Sequence, residues 1–109
     1  MKKRITIGLM ETVVLENGRE YKAKIDTGAD TSSVDESIIS KMNKEVDSHK
    51  TVRSSLGEAK RPTVILKLTF HEQDFEQKFT VADRSNLKYK VLIGKDILRK
   101  GNFLIDPCK

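Results

Sequence analysis

The sequence predicts a mostly-β domain with one or two short helices, and three observations carry that prediction. Residues 62–82 alternate apolar and polar in two runs across a polar break, the period-2 pattern of strands buried on one face. Asn17-Gly18 separates two further strand-like runs, and Asn-Gly accepts the positive φ that a tight hairpin needs. Helical spacing of apolar residues is confined to two short runs, after Asp35 and after Gly94. With 109 residues the chain can bury one modest core and not two, so residues 1–109 are expected to form a single domain.

Residues 4–9 and 11–15 read as strands. The turn ENGRE (residues 16–20) should send residues 20–25 back antiparallel, with Tyr21, Ala23 and Ile25 on one face. A glycine turn follows at Asp26-Thr27-Gly28. Asp35 can then cap a short helix whose Ile38, Ile39 and Met42 share a side. In the clearest hairpin, Val64, Leu66, Leu68 and Phe70 line one strand and Phe75, Phe79 and Val81 the other, across His71-Glu72-Gln73-Asp74. VLIG (residues 91–94) reads as a short buried strand, residues 95–100 as a helical turn or two stopped at Gly101, and NFLID (residues 102–106) as a closing strand.

Hydrophobic residues at 37% and charged residues at 34% give the balance of a soluble globular chain, not a disordered one. The net charge of +5 would suit an acidic partner, but both signs are scattered. No dense Lys/Arg block carries interleaved aromatics, so nucleic acid is not the expected partner. The opening MKKRITIGLMETVVLEN begins like a signal peptide, yet Glu11 interrupts its apolar run and no small-residue cleavage site follows. No stretch reaches the length of a membrane span, and the single Cys108 has no partner for an internal disulfide. These features point to the cytoplasm, away from membranes.

Asp26 ends an alternating run, YKAKI, which places its carboxylate at the tip of a rigid element. An aspartate there can simply close a turn or cap the helix that follows. It can also do chemistry. Amide hydrolysis by carboxylates needs two of them sharing one proton, one acting as base on water while the other protonates the carbonyl oxygen. Thr27 could brace such a loop through its hydroxyl, and Gly28 would let a substrate backbone approach without meeting a Cβ. The chain carries one Asp-Thr-Gly, and a lone Asp26 cannot be both acid and base. Two chains about a two-fold axis would set Asp26 opposite its own copy. Other nucleophiles are poorly placed: neither Ser54 nor Ser55 sits in a nucleophile elbow with His49 or His71, and Cys108 is one residue from the end.

IDTGADTSSV (residues 25–34) resembles the active-site loop of retropepsin-type aspartic proteases, and VLIGKDIL (residues 91–98) resembles their second signature. The chain is similar nearly end to end to a prokaryotic branch of that superfamily, labelled as ATP-dependent zinc proteases and linked with RimK-type glutamate ligases. IGLMETVVL, KAKIDTGADTSS, FTVADRSNLKYKVLIGKDIL and FLIDP, in that order, carry the similarity. The resemblance implies a single-lobe fold built on a small closed β-barrel and a homodimer. Asp26 would be catalytic, with Thr27 and Gly28 bracing the loop, Ala29 and Asp30 lining the cleft, and Leu92, Ile93 and Gly94 supporting it from behind. The prokaryotic branch carries Arg at the position of Asp30, whereas viral-type retropepsins carry Asp; here Asp30 is expected to pair with Lys95 or Arg4.

The zinc and ATP of that label do not fit the residues. HEQDF places Phe75 where a zinc hydrolase helix needs its second His, and His49, His71 and Cys108 are scattered. A phosphate loop would need Gly at Tyr89 and Ser or Thr at Asp96. No cofactor and no metal are therefore expected. TVRSSLGEAKRP (residues 51–62) is a polar hairpin of a size to fold over a cleft. It is read as a flap with residues 54–60 at its tip and Ser54, Ser55, Leu56 and Gly57 as the flap candidates; a plain surface loop is the alternative. With the resemblance, Lys22, Lys24, Arg53, Lys60 and Arg61 become candidates for a cationic rim that steers an acidic peptide or protein, such as a glutamate-rich tail. The alternative function is a non-catalytic dimeric module of the same fold that binds a protein or peptide.

Overall fold

Alternation in the sequence becomes a closed barrel. The computed structural model describes residues 4–46, 48–54 and 57–109. Its elements are β1 (Thr6–Ile7), β2 (Met10–Leu15), β3 (Glu20–Ile25), β4 (Ser33–Asp35), α1 (Glu36–Lys41), β5 (Ser48–Ser54), β6 (Gly57–Phe70), β7 (Gln73–Ala82), β8 (Val91–Ile93), α2 (Lys95–Lys100) and β9 (Leu104–Ile105). Strands β2-β3-β8-β4-β7-β6 are neighbours in that order, and β2 pairs with β6 to close a six-stranded ring. Closure leaves no open edge in the ring, which removes the usual risk of a small sheet. β5 lies outside it on the first half of β6, while β1 and β9 form a separate parallel pair.

The period of 2 decides what is inside. On β6, Val64, Leu66, Leu68 and Phe70 are buried while Ile65, Lys67 and Thr69 are exposed. Ala23 and Ile25 of β3 are buried and Lys22 and Lys24 exposed. With Val13, Leu15, Val34, Phe79, Val81, Val91 and Ile93 they fill the barrel. Each large apolar side chain there contributes about 1.5–3 kcal/mol by leaving water.

The β2–β3 hairpin forms as expected, with Gly18 at φ +79° and Asn17 Oδ1 accepting from the Arg19 amide at 3.0 Å. Asp35 caps α1, and Ile38 and Ile39 turn inward with Met42 packed beside them. Gly101 ends α2 for a different reason from the one expected. Its φ is −83°, and Asn102 takes the left-handed position at +52°. A Cβ on Gly101 would stand 2.1 Å from Phe103 Cε2, so glycine is required by the packing of that ring.

Three expectations are corrected in extent. The β6–β7 turn is two residues, not four, because Phe70 pairs with Gln73 and Thr69 with Asp74. His71 and Glu72 both adopt positive φ (+50° and +62°) without being glycine or asparagine. A tertiary contact holds His71, whose Nε2 lies 2.8 Å from Glu11 Oε1, and its ring meets that of its neighbour Phe70 edge-on at 4.9 Å. The terminal strands are shorter than read, being limited to the two residue pairs Thr6–Leu104 and Ile7–Ile105. Ser33–Asp35 is a strand, though the sequence there has no alternation to announce it.

Candidate active site

Asp26 follows the last residue of β3 and is fixed through its backbone. Its N–H donates to the Ile93 carbonyl at 2.9 Å, and its own carbonyl accepts from the Ala29 amide at 3.2 Å. The carboxylate Oδ1 accepts from the Gly28 amide at 2.9 Å. Asp26 and Ala29 are half-buried, whereas Thr27, Gly28 and Asp30 face solvent. A Cβ on Gly28 would lie 3.2 Å from Asp26 Oδ1, so glycine keeps that flank of the carboxylate open. One aspartate is thus held firmly at the root and presented at an open face.

The rigidity comes from β8, which runs between β3, parallel to it, and β4, antiparallel to it. The 26–32 loop must therefore cross the end of β8 to join its two neighbours. Gly94 sits under the crossing, where a Cβ would approach the Ala29 carbonyl oxygen to 2.8 Å and the Thr31 carbonyl carbon to 3.0 Å. Leu92 pairs with Lys24 on one side and Ser33 on the other. The Lys95 amide donates to the Ala29 carbonyl at 2.8 Å. Ile93 and Gly94 are thus brought directly against the loop, while Leu92 pairs with the strands on either side of β8.

Sequence reasoning missed the residue that ties these parts together. Ser32 is wholly buried, and its Oγ accepts from the Gly94 amide at 2.9 Å while donating to Asp96 Oδ1 at 2.6 Å. Its N–H donates to Asp96 Oδ2 at 2.9 Å, and its carbonyl accepts from the Thr80 amide at 3.0 Å. One residue, through its side chain and its backbone, links the loop to α2, to β7 and to the Gly94 amide that follows β8. Both Ser32 and Asp96 lie inside the quoted motifs, but 64 positions separate them and no spacing rule relates them.

Of the two partners expected for Asp30, Lys95 takes the role, with Nζ 2.8 Å from Oδ1. Arg4 instead donates to the carbonyls of Asn102 at 3.0 Å and Phe103 at 3.3 Å, beside the β1–β9 pair. The Asp30 side chain is 87% exposed, so the ion pair is a weak surface one. In the flap region Ser54 pairs with Gly57; Ser55 and Leu56 lie outside the described residues. Residues 58–60, expected at the tip, belong to the strand arm, since Glu58, Ala59 and Lys60 pair with Arg53, Val52 and Thr51.

Two further charged groups meet at the other end of β4, where the Arg84 amide donates to Asp35 Oδ1. Burial works against ionisation of Asp35, but the Ser37 hydroxyl, the Arg84 and Ser37 amides and the Lys90 charge outweigh it and hold the carboxyl below its ordinary range. Arg84 is half-buried, and that burial pulls its pKa down against the support of Asp35 and of Asp26. Among the described residues no three His, Cys, Asp or Glu side chains gather into a metal site, and no helix is long and apolar enough to cross a membrane. The donors that zinc would need are not brought together there: His71 is engaged with Glu11, and Cys108 is exposed.

A closed six-stranded barrel with an Asp-Thr-Gly loop crossing a short inner strand defines a retropepsin-like fold, and solved structures share it. A Legionella pneumophila protein of unknown function superposes with a TM-score of 0.70 at 20% identity, over 98% of this chain and 96% of that one. EIAV protease bound to the inhibitor HBY-793 gives 0.66 at 19% identity, over 94% and 92%. Simian foamy virus protease gives 0.64 at 14% identity, over 83% and 91%. The chain belongs to the RimB-like family, described as retropepsin-like aspartic endopeptidase RimB, whose profile matches residues 35–109. The matched span begins just after the Asp26 loop. No curated protein sequence matches the chain.

Proposed function

We propose that the protein is a homodimeric aspartic endopeptidase in which the two Asp26 carboxylates face each other across a two-fold axis. The observation that carries this reading is the setting of Asp26. A single carboxylate is held at its root by the Ile93 carbonyl and at its oxygen by the Gly28 amide, on an otherwise exposed turn. Two carboxylates that close cannot both ionise cheaply, so the pair retains one proton. The ionised member takes a proton from water as its oxygen adds to the peptide carbonyl carbon, and the protonated member gives its proton to the carbonyl oxygen. Collapse of the tetrahedral intermediate breaks the C–N bond, with a proton delivered to the departing amine. No covalent link to the protein forms.

The terminal strands support the dimer. β1 and β9 pair only with each other among the described residues, leaving their outer edges available to a second copy. Leu9, Met10 and Leu104 are exposed beside them. The substrate is read as a peptide or protein, with glutamate-rich tails as the candidate, because Lys22, Lys24 and Arg61 are exposed cations on strands adjoining the site or the flap. The cytoplasm is the proposed location.

The test is turnover of a mixed peptide set, acidic-tailed members included, by wild type and by Asp26→Asn. Activity lost with that one substitution, in a variant that still dimerises, is the expected result. Equal activity in both proteins would place the chemistry elsewhere, and none in either would favour the non-catalytic binding module.

A further inference from the structure

We propose that Glu11 is a positioning residue: its carboxylate fixes the bend that ties the β1–β9 pair to the strand end carrying Asp26. The tie rests on the fold alone, and its effect on turnover rests on the endopeptidase reading. Glu11 alternates along β2 with the buried Val13 and Leu15, so its side chain, only 17% exposed, stands on the inner face near the start of the strand. A carboxylate there is costly unless it is well bonded. Oε2 accepts from the Gly8 amide at 2.7 Å, and Oε1 lies 2.8 Å from His71 Nε2. Burial works against its ionisation, but the Gly8 amide, the His71 ring and the Lys109 charge outweigh it and hold the carboxyl below its ordinary range.

Gly8 and Leu9 form the bend between β1 and β2, and the chain on each side of it reaches something the site needs. On one side, the Ile5 and Ile7 carbonyls accept from the Leu104 amide at 2.9 Å and the Asp106 amide at 2.8 Å, which makes the β1–β9 pair. Lys109 Nζ adds a bond to the Thr6 carbonyl at 2.5 Å. On the other side, the Leu9 carbonyl accepts from the Ile25 amide at 2.9 Å, one residue before Asp26. The bend has no slack: a Cβ on Gly8 would stand 2.9 Å from the Lys109 carbonyl oxygen and 3.5 Å from Glu11 Oε2. His71 anchors the other carboxylate oxygen, and its ring lies 6.1 Å from that of Phe103, the residue before β9. Glu11 is therefore where the bend, the β6–β7 turn and the approach to β9 meet.

Amide hydrogen exchange, read residue by residue, tests the tie in Glu11→Ala, Glu11→Gln and His71→Phe against wild type at one chain concentration. Glu11→Ala should speed exchange of the Gly8, Ile25, Leu104 and Asp106 amides about ten- to a hundredfold, and of the β6–β7 ladder amides less than about threefold. Glu11→Gln keeps an acceptor for the Gly8 amide and should recover part of the loss. His71→Phe keeps a ring but removes the nitrogen, and should speed the same amides about three- to tenfold. If Glu11→Ala does not fold, His71→Phe decides by the same pattern. Equal acceleration of all amides, or none at these positions, overturns the proposal. Turnover reads the positioning role separately, at chain concentrations where activity per chain is constant. Glu11→Gln and His71→Phe should lower kcat about three- to tenfold with KM changed less than about twofold. Unchanged kcat beside accelerated Ile25 exchange overturns the positioning role. A wild type that turns over no peptide would end the endopeptidase reading, and the exchange pattern would still decide the tie.

Discussion

Replacing Ser32 with Ala removes the one hydroxyl that bonds both Gly94 and Asp96. The Gly94 amide is buried and would lose its acceptor, a loss worth about 1–3 kcal/mol. The bond to the Asp96 carboxylate is charge-assisted, worth about 1.5–3 kcal/mol when intact. Asp96 keeps its bonds from the Ser32 and Ile97 amides, so the second loss is only partial and the two do not add in full. The expected cost is about 2–4 kcal/mol, or a fall in Tm on the order of 10 °C for a chain of this length. The adjacent Ser33 is an internal control. It is also buried, but its hydroxyl makes one long bond, 3.3 Å to the Thr80 carbonyl, so Ser33→Ala should cost about 1 kcal/mol or less. Urea unfolding at fixed chain concentration measures both, with concentration held because a dimer's stability depends on it. A Ser32→Ala cost within about 0.5 kcal/mol of zero, or equal to that of Ser33→Ala, would refute the role of this hydroxyl as the tie between loop and barrel.

Gly94→Ala forces a methyl to within 2.8 Å of the Ala29 carbonyl, and should cost about 1–3 kcal/mol and lower turnover further by shifting the loop; wild-type unfolding and kinetics would contradict this. Asp30→Ala breaks a mostly exposed pair with Lys95 and should change stability by less than about 1 kcal/mol, in a manner that fades with added salt. The folded-state pKa of Asp35 lies below its ordinary value, so the ionised carboxyl stabilises the fold above about pH 3.9 and that stability is lost as pH falls through the folded value. The stability difference between wild type and Asp35→Asn should therefore shrink as pH drops from about 5 to below about 3. Glu11 and Glu16 are shifted the same way and, being present in both proteins, cancel in the difference; a difference independent of pH would contradict the assignment.

The barrel walls were legible because their physics is local. Val64 to Phe70 and Tyr21 to Ile25 alternate, and a one-sided strand can hide such residues in only one way. Asn17-Gly18 and the Asp35 cap act through neighbours in sequence and were equally readable. The misjudged parts depend on distant contacts. The two-residue turn at His71-Glu72 is set by Glu11, 60 positions away, and nothing in HEQD announces it. β4 has no alternation because it lies between β7 and β8, where Ser33 and Asp35 are buried by tertiary packing and satisfied by hydrogen bonds. At the site, Asp26 and Gly28 carried a recognisable chemical logic. Ser32 and Asp96 are polar residues in polar stretches, distinguishable from solvated surface only once the chain is folded.

The measurement closest to the central claim mixes wild-type and Asp26→Asn chains, co-refolded so that dimers form at random, and follows peptide turnover against composition. If each site needs one Asp26 from each of two chains, mixed dimers are inactive. Activity per wild-type chain should then fall to about half at equal amounts of the two. Activity that stays in direct proportion to the wild-type chains, undiminished by the variant, would mean that a single Asp26 suffices and would contradict the shared carboxylate pair.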